Sequence, residues 1–236
     1  MAINVGQANF ANILPNSNTY STSLVAGAAD THSQLSGADG FLYVEIAISG
    51  TYTVTGVEWG GFSMDLLDVN YASNINIRHY RYFLKSPATG RKKLTVNFNT
   101  TYVTTFVWVA QSFTNCGGIN DHDWDGLALT PHVQTPTVGA NDLVYLSGLS
   151  QRPIAHLKLD GVDYYYPSVL AHGNIEADQY VGQITGNLSP GTISVMTDAG
   201  ASWTGYKVTN SWVKFSEAGG EPPEGSAEGS WWLLMR

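Results

Sequence analysis

The chain has 236 residues, 43% hydrophobic and only 13% charged, with a formal net charge of −8. Its 11 Lys and Arg are too few to neutralise a long run of phosphates, which argues against a nucleic-acid partner. One cysteine excludes an internal disulfide, and no apolar run approaches the roughly 20 residues of a membrane span.

Polarity comes instead from Ser, Thr, Asn and 25 Gly, beside 12% aromatics, which suits a turn-rich β protein with one main core. Residues 1–40 carry only short apolar pieces, such as Ile13-Leu14 and Leu24-Val25, and read as an arm with one edge strand. The first strongly signalled strand follows, with Leu42, Val44, Ile46 and Ile48 alternating with Tyr43, Glu45 and Ala47. That period of two predicts one face on a core and the other toward water.

Two β-rich runs, 53–59 and 62–67, flank Gly60-Gly61, a pair that permits the positive φ of a tight hairpin turn. Tyr80, Tyr82 and Leu84 then alternate with His79, Arg81 and Phe83 up to turn residues 86–90, and Leu94, Val96 and Phe98 alternate with polar neighbours. The basic cluster Arg91, Lys92 and Lys93 between these strands reads as a solvated turn. Residues 106–110 form another strand with Trp108 in its core, and 112–137 read as a long Gly- and Asp-rich loop containing Cys116. Strands resume at 143–146 and 155–159. Asp160-Gly161 is the strongest hairpin signal in the chain, and 180–184, 192–196 and 207–215 complete the set. The expected division is an arm at 1–40, a β-sandwich domain at 41–218, and a linker with an apolar C-terminal tail at 219–236.

Val57-Glu58-Trp59-Gly60-Gly61-Phe62-Ser63-Met64, then Tyr82-Phe83-Leu84-Lys85-Ser86-Pro87-Ala88-Thr89-Gly90 and Leu94-Thr95-Val96-Asn97-Phe98, carry a resemblance. The pattern resembles a β-sandwich module, jelly-roll or Ig-like, found in bacteriophage structural proteins and bacterial surface proteins. It covers roughly residues 40 to 150, with a weaker echo at 198–215. The resemblance implies a place on the outside of a virion or cell: capsid decoration, a fibre component or an adhesin. Its motifs are turn and core residues, so they bear on fold more than on function.

Met1 to Gly6 form neither a basic nor an apolar stretch, so no secretory signal is read there. Synthesis in a host cytoplasm and a final place in a virion fit both that start and a Thr/Asn/Gly-rich composition. An extracellular or cell-surface place is the alternative.

Among local motifs, Asp121-His122-Asp123-Trp124-Asp125-Gly126 sets carboxylates at alternate positions before a glycine. Asp121, Asp123 and Asp125 could converge on calcium as the only cofactor expected, though His132 stands where an EF-hand needs Glu. The plainer reading is an acidic surface loop whose Asp side chains bond their own backbone. Trp124, Tyr164, Tyr165, Tyr166 and Trp203 are aromatics outside the obvious strand cores, the residue types that stack on sugars of a host-surface glycan. Trp59, Trp108 and Trp212 read as core.

Trp231, Trp232, Leu233, Leu234 and Met235 form an exposed sticky patch unless they pack on something, either their own sandwich or a neighbouring subunit. No nucleophile elbow appears, and no carboxylate pair is singled out for glycoside hydrolysis, so no enzyme is expected. The partners expected are copies of the chain and other virion proteins.

Overall fold

The computed structural model describes residues 3–5, 9–13, 19–22, 40–49, 52–73, 76–88, 90, 92–100, 106–129, 132–150, 156–159, 162–163, 169–172, 175–178, 191–192, 194–198 and 207–219. These contain strands and turns and no helix. In chain order the strands are β1 (Asn4–Val5), β2 (Asn9–Ile13), β3 (Thr19–Thr22), β4 (Phe41–Ser49), β5 (Val54–Trp59), β6 (Phe62–Ser63) and β7 (Asp65–Ala72). They continue with β8 (Ile77–Lys85), β9 (Leu94–Phe98), β10 (Phe106–Thr114), β11 (Cys116–Leu129), β12 (His132–Gln134), β13 (Thr137–Val138) and β14 (Leu143–Ser150). The last are β15 (His156–Leu159), β16 (Val162–Asp163), β17 (Val169–His172), β18 (Ile175–Asp178), β19 (Gly191–Thr192), β20 (Val195–Asp198) and β21 (Lys207–Glu217).

The architecture is an all-β stack of antiparallel sheets, the β-sandwich class expected. A central sheet runs β1-β10-β4-β8-β7, with β2 also on β10; a second runs β3-β9-β5-β6 and a third β11-β21-β14-β18-β17. A smaller sheet, β12-β20-β15-β16, and the pair β13-β19 complete the described part.

Strands β4, β8 and β10 of the central sheet are buried on both faces. On one, Leu42, Val44, Ile46 and Ile48 of β4, Tyr80 and Tyr82 of β8 and Trp108 of β10 pack against Val57, Trp59, Leu94 and Val96 of the second sheet. On the other, Phe41 and Tyr43 of β4 and Phe113 of β10 meet Leu143, Tyr145, Val213 and Phe215 of the third. Aromatic contacts join those layers, with Tyr43 edge-on to Tyr145 at a centroid distance of 5.2 Å and Phe113 tilted against Phe215 at 4.6 Å. The face of β4 expected to meet water is therefore sealed: Tyr43, Glu45 and Ala47 are all buried. A third layer, not predicted from the alternation, covers it.

The expected loop at 112–137 is corrected as well. Asn115, at φ 58°, turns the chain in one residue from β10 into β11, a 14-residue strand that pairs with β21 through three register irregularities. Asn tolerates this left-handed geometry better than most residues. Cys116 is buried at the start of β11, in the core with Phe113 and Phe215. Among the described residues of the 1–40 segment are three short strands, β1 and β2 on β10 and β3 on β9.

Two predicted hairpins are observed. Lys158 pairs with Asp163 and Leu159 with Val162 around Asp160-Gly161. Trp59 pairs with Phe62 around Gly60 and Gly61, whose φ values are 59° and 87°. Nothing lies within 4 Å of a Cβ added at Gly61, so Gly61→Ala meets only backbone strain. Urea denaturation should show a loss of about 1–2 kcal/mol, the usual penalty for a left-handed L-residue. Trp59, Trp108 and Trp212 are core, as read from the sequence. The strand expected at 180–184 lies outside the described residues.

Candidate functional site

Because β4, β7 and β8 pair in register, Glu45 sits opposite Arg81 and Arg81 opposite Asp68, while His79 sits opposite Ala47 and Asn70. These side chains share the face turned to the third sheet, where Glu45, His79 and Arg81 are fully buried. Glu45 Oε1 accepts from the Tyr43 hydroxyl at 2.7 Å and the Ser147 hydroxyl at 3.1 Å, and Oε2 lies 3.5 Å from His79 Nε2. Arg81 uses every donor position of its fork. Nε donates to Asp68 Oδ1 at 2.7 Å and Nη2 to Asp68 Oδ2, while Nη1 reaches Ser211 Oγ at 3.0 Å and the carbonyls of Trp212 and Asp123 at 3.2 and 3.3 Å. His122 of β11 completes the group, with Nε2 3.7 Å from Asp68 Oδ2. One guanidinium therefore ties β7 and β8 of the central sheet to β11 and β21 of the third.

The electrostatics follow from this seal. Burial alone would raise the Glu45 carboxyl, but the His79 imidazole, the Tyr43 hydroxyl and the Arg81 charge outweigh it and hold it below the ordinary carboxylate value. Asp68 is likewise lowered, burial being overcome by the hydrogen bonds and charge of Arg81. Burial, then the Arg81 charge, lowers His122 despite the nearby aspartates. Burial foremost, then Glu45, pushes the Tyr43 and Tyr145 phenols well up, so both stay neutral, and Tyr43 donates to Glu45. These residue types do acid–base chemistry elsewhere, but Glu45, His79 and Arg81 have no exposed surface with which to meet a substrate. Their chemistry here is to join two sheets.

Asp121, Asp123 and Asp125 project from one side of β11 instead of closing round a loop, because strand geometry sends alternate residues to the same face. Asp121 Oδ1 accepts from the His122 amide at 2.9 Å, and Asp123 accepts from the Trp124 amide at 2.8 Å and from Gln134 Nε2 at 3.0 Å. Among the described residues no three His, Cys, Asp or Glu gather as a metal-holding group. Trp124 shares the opposite side with His122 and is half-buried. Tyr164, Tyr165, Tyr166, Trp203 and residues 231–235 lie outside the described residues.

The surface feature missing from the sequence reading is the outer edge of the central sheet. β7 is its last strand, and no described strand pairs with its outer side. Leu66, Val69 and Tyr71 sit opposite Tyr82, Tyr80 and Arg78, so all three project from one face, and they are 49%, 45% and 46% exposed. Phe62, 62% exposed, precedes them on β6. Beside Leu66 opens a groove of about 420 Å³, with Met64 and Tyr82 among its lining and Thr55, Glu58 and Ser63 contributing polar groups. Asn97 Nδ2 donates to Glu58 Oε1 at 3.5 Å on the same rim. Burial pushes the Tyr82 phenol up to about 12, so the groove presents a neutral hydroxyl.

Comparison with protein-family models, with curated proteins and with solved structures finds no match for this chain.

Proposed function

We propose that this chain is a bacteriophage virion structural protein, a capsid decoration or a head or tail accessory protein, that acts through contacts between subunits. The observation that carries the reading is the outer edge of β7, which no strand among the described residues pairs, with its exposed row Leu66, Val69 and Tyr71. Apolar edge strands left open invite pairing with another chain, and natural sheets otherwise blunt them with charge, proline or a cover. The charged groups that could do chemistry are sealed between layers, and they suit a rigid building block better than a reactive one. The turn motifs at 57–64, 82–90 and 94–98, which resemble phage structural modules, point the same way.

Light scattering on the full chain and on a truncation after Gly220 tests this. The full chain should have a mass of several protomers and the truncation the mass of one. A full chain that stays monomeric at high concentration would remove the reading.

A second reading, a carbohydrate-binding adhesin or receptor-binding fibre module, is favoured by the groove, where Glu58, Asn97 and the Tyr82 hydroxyl offer acceptors and donors beside apolar walls. Glu58→Gln should then weaken binding of a glycan found by array screening. No glycan bound by the full chain would leave that reading without support.

A further inference from the structure

We propose that the apolar segment 231–235 of one copy lies along the outer edge of β7 in a second copy, covering Leu66, Val69 and Tyr71 and seating one indole in the adjoining groove. This rests on the subunit-assembly reading above and names the element that makes the contact.

Four observations converge on it. First, donor and acceptor surfaces match. Trp231, Trp232, Leu233, Leu234 and Met235 need an apolar cover, and the β7 row with Phe62 is the largest exposed apolar group along one edge of the described residues. Added as a strand, the segment would satisfy the outer backbone groups of β7 and turn alternate side chains onto the row. Second, the groove suits an aromatic anchor. Its 420 Å³ exceeds what one indole fills, Leu66 belongs to both groove and row, and Glu58 and Asn97 stand where an indole N–H needs an acceptor.

Third, charges along the approach are complementary. The stretch 220–230 carries Glu221, Glu224 and Glu228, while Lys85, Lys92 and Lys93 are exposed. Lys93 adjoins the β5–β6 turn, where its carbonyl accepts from the Gly60 amide at 2.8 Å. Fourth, the chain leaves the described structure at the right end. The Ala218 amide donates to the Asn115 carbonyl at 2.9 Å, and a Cβ built at Gly118 would lie 3.7 Å from Lys85 Cε. Lys85 ends β8, and β7 begins beside that end. The eleven residues 220–230 can span at most about 36–40 Å. That reach is long enough to bring the segment to the β7 edge of a neighbouring copy, the placement the assembly reading requires. Each copy gives one segment and accepts one, a heterologous contact that closes into a ring or continues as an array according to the rotation between copies.

Single engineered cysteines test this in the full chain, where Cys116 is buried. Val69→Cys and Leu233→Cys are made in separate chains, mixed and treated with a short bis-maleimide. Val133→Cys, at a residue 47% exposed on β12, replaces Val69→Cys as the control. A cross-linked dimer of Val69→Cys with Leu233→Cys is expected, in a yield on the order of tenfold above the control pair. Equal yields for the two pairs would overturn the proposal. So would intrachain cross-linking in the Val69→Cys/Leu233→Cys double variant without any mixed dimer, which places the segment on its own subunit. If the full chain is oligomeric by light scattering but the mixed pair does not cross-link, the proposed contact fails while the assembly reading stands; a monomeric full chain removes both. Val69→Lys, at a position 45% exposed, should lower the mass of the full chain toward one protomer.

Discussion

Replacing Arg81 with methionine should destabilise the protein by about 3–5 kcal/mol, the range for removing one partner of a buried ion pair. The size follows from what is left behind. Asp68 loses both hydrogen bonds to its carboxylate, Ser211 Oγ and the carbonyls of Asp123 and Trp212 lose a donor, and the buried Glu45 loses a nearby positive charge. Stranded polar groups, more than the lost attraction, set the cost. Arg81→Lys should recover only part of it, because a point charge on a flexible stem cannot span the carboxylate, a hydroxyl and two carbonyls at once. Arg81→Met combined with Asp68→Leu should cost less than the sum of the two single changes, since each removes the other's unpaired charge. Urea midpoints at pH 7 measure all four variants. A loss under about 1 kcal/mol for Arg81→Met would show that the cluster is decoration on a core that holds without it.

The sequence carried much of the second sheet and of one face of the central sheet, because there the period-two pattern has only one solution. Leu42, Val44, Ile46 and Ile48 point to a core, Leu94, Val96 and Phe98 answer them, and Gly60-Gly61 fixes the hairpin between β5 and β6. The third sheet was hidden for a physical reason. Tyr43-x-Glu45 and His79-x-Arg81 look like the wet side of a strand, since charge in alternation ordinarily marks solvent. Here the charges neutralise one another within the protein, and the pattern of a sealed ionic layer is the same as that of a surface. β11 was lost similarly: Asp121, Asp123 and Asp125 drew attention as a loop, although their alternation with His122 and Trp124 is itself a strand pattern. The β7 edge could not be read locally at all. Exposure of Leu66, Val69 and Tyr71 depends on which strand ends the sheet, and only long-range pairing decides that.

Acid should weaken the fold in two steps, each assigned to a group joining the central and third sheets. His122 is held below its ordinary value, so in the window beneath about pH 6.5 the unfolded chain takes up a proton that the folded chain resists, and stability falls as pH falls through it. The Asp68 and Glu45 carboxyls are also held below their ordinary values. Their contribution is complete above roughly pH 4 and is lost as pH drops from the unfolded values toward the lower folded ones, because protonation occurs first in the unfolded chain. Arg81 on β8 acts on all three groups, joined at the carboxyls by His79 on β8 and Tyr43 on β4 and at His122 by Asp121 and Asp123 on β11, so a change at Arg81 alters both steps at once. His122→Gln should flatten the step that opens beneath about pH 6.5 and leave the carboxylate step below about pH 4 in place. Thermal midpoints taken from pH 7 to pH 3 check the sign directly. A midpoint that rises on acidification through either window, or a His122→Gln variant that keeps the upper step unchanged, would show that the charged layer between the sheets is not what answers to pH.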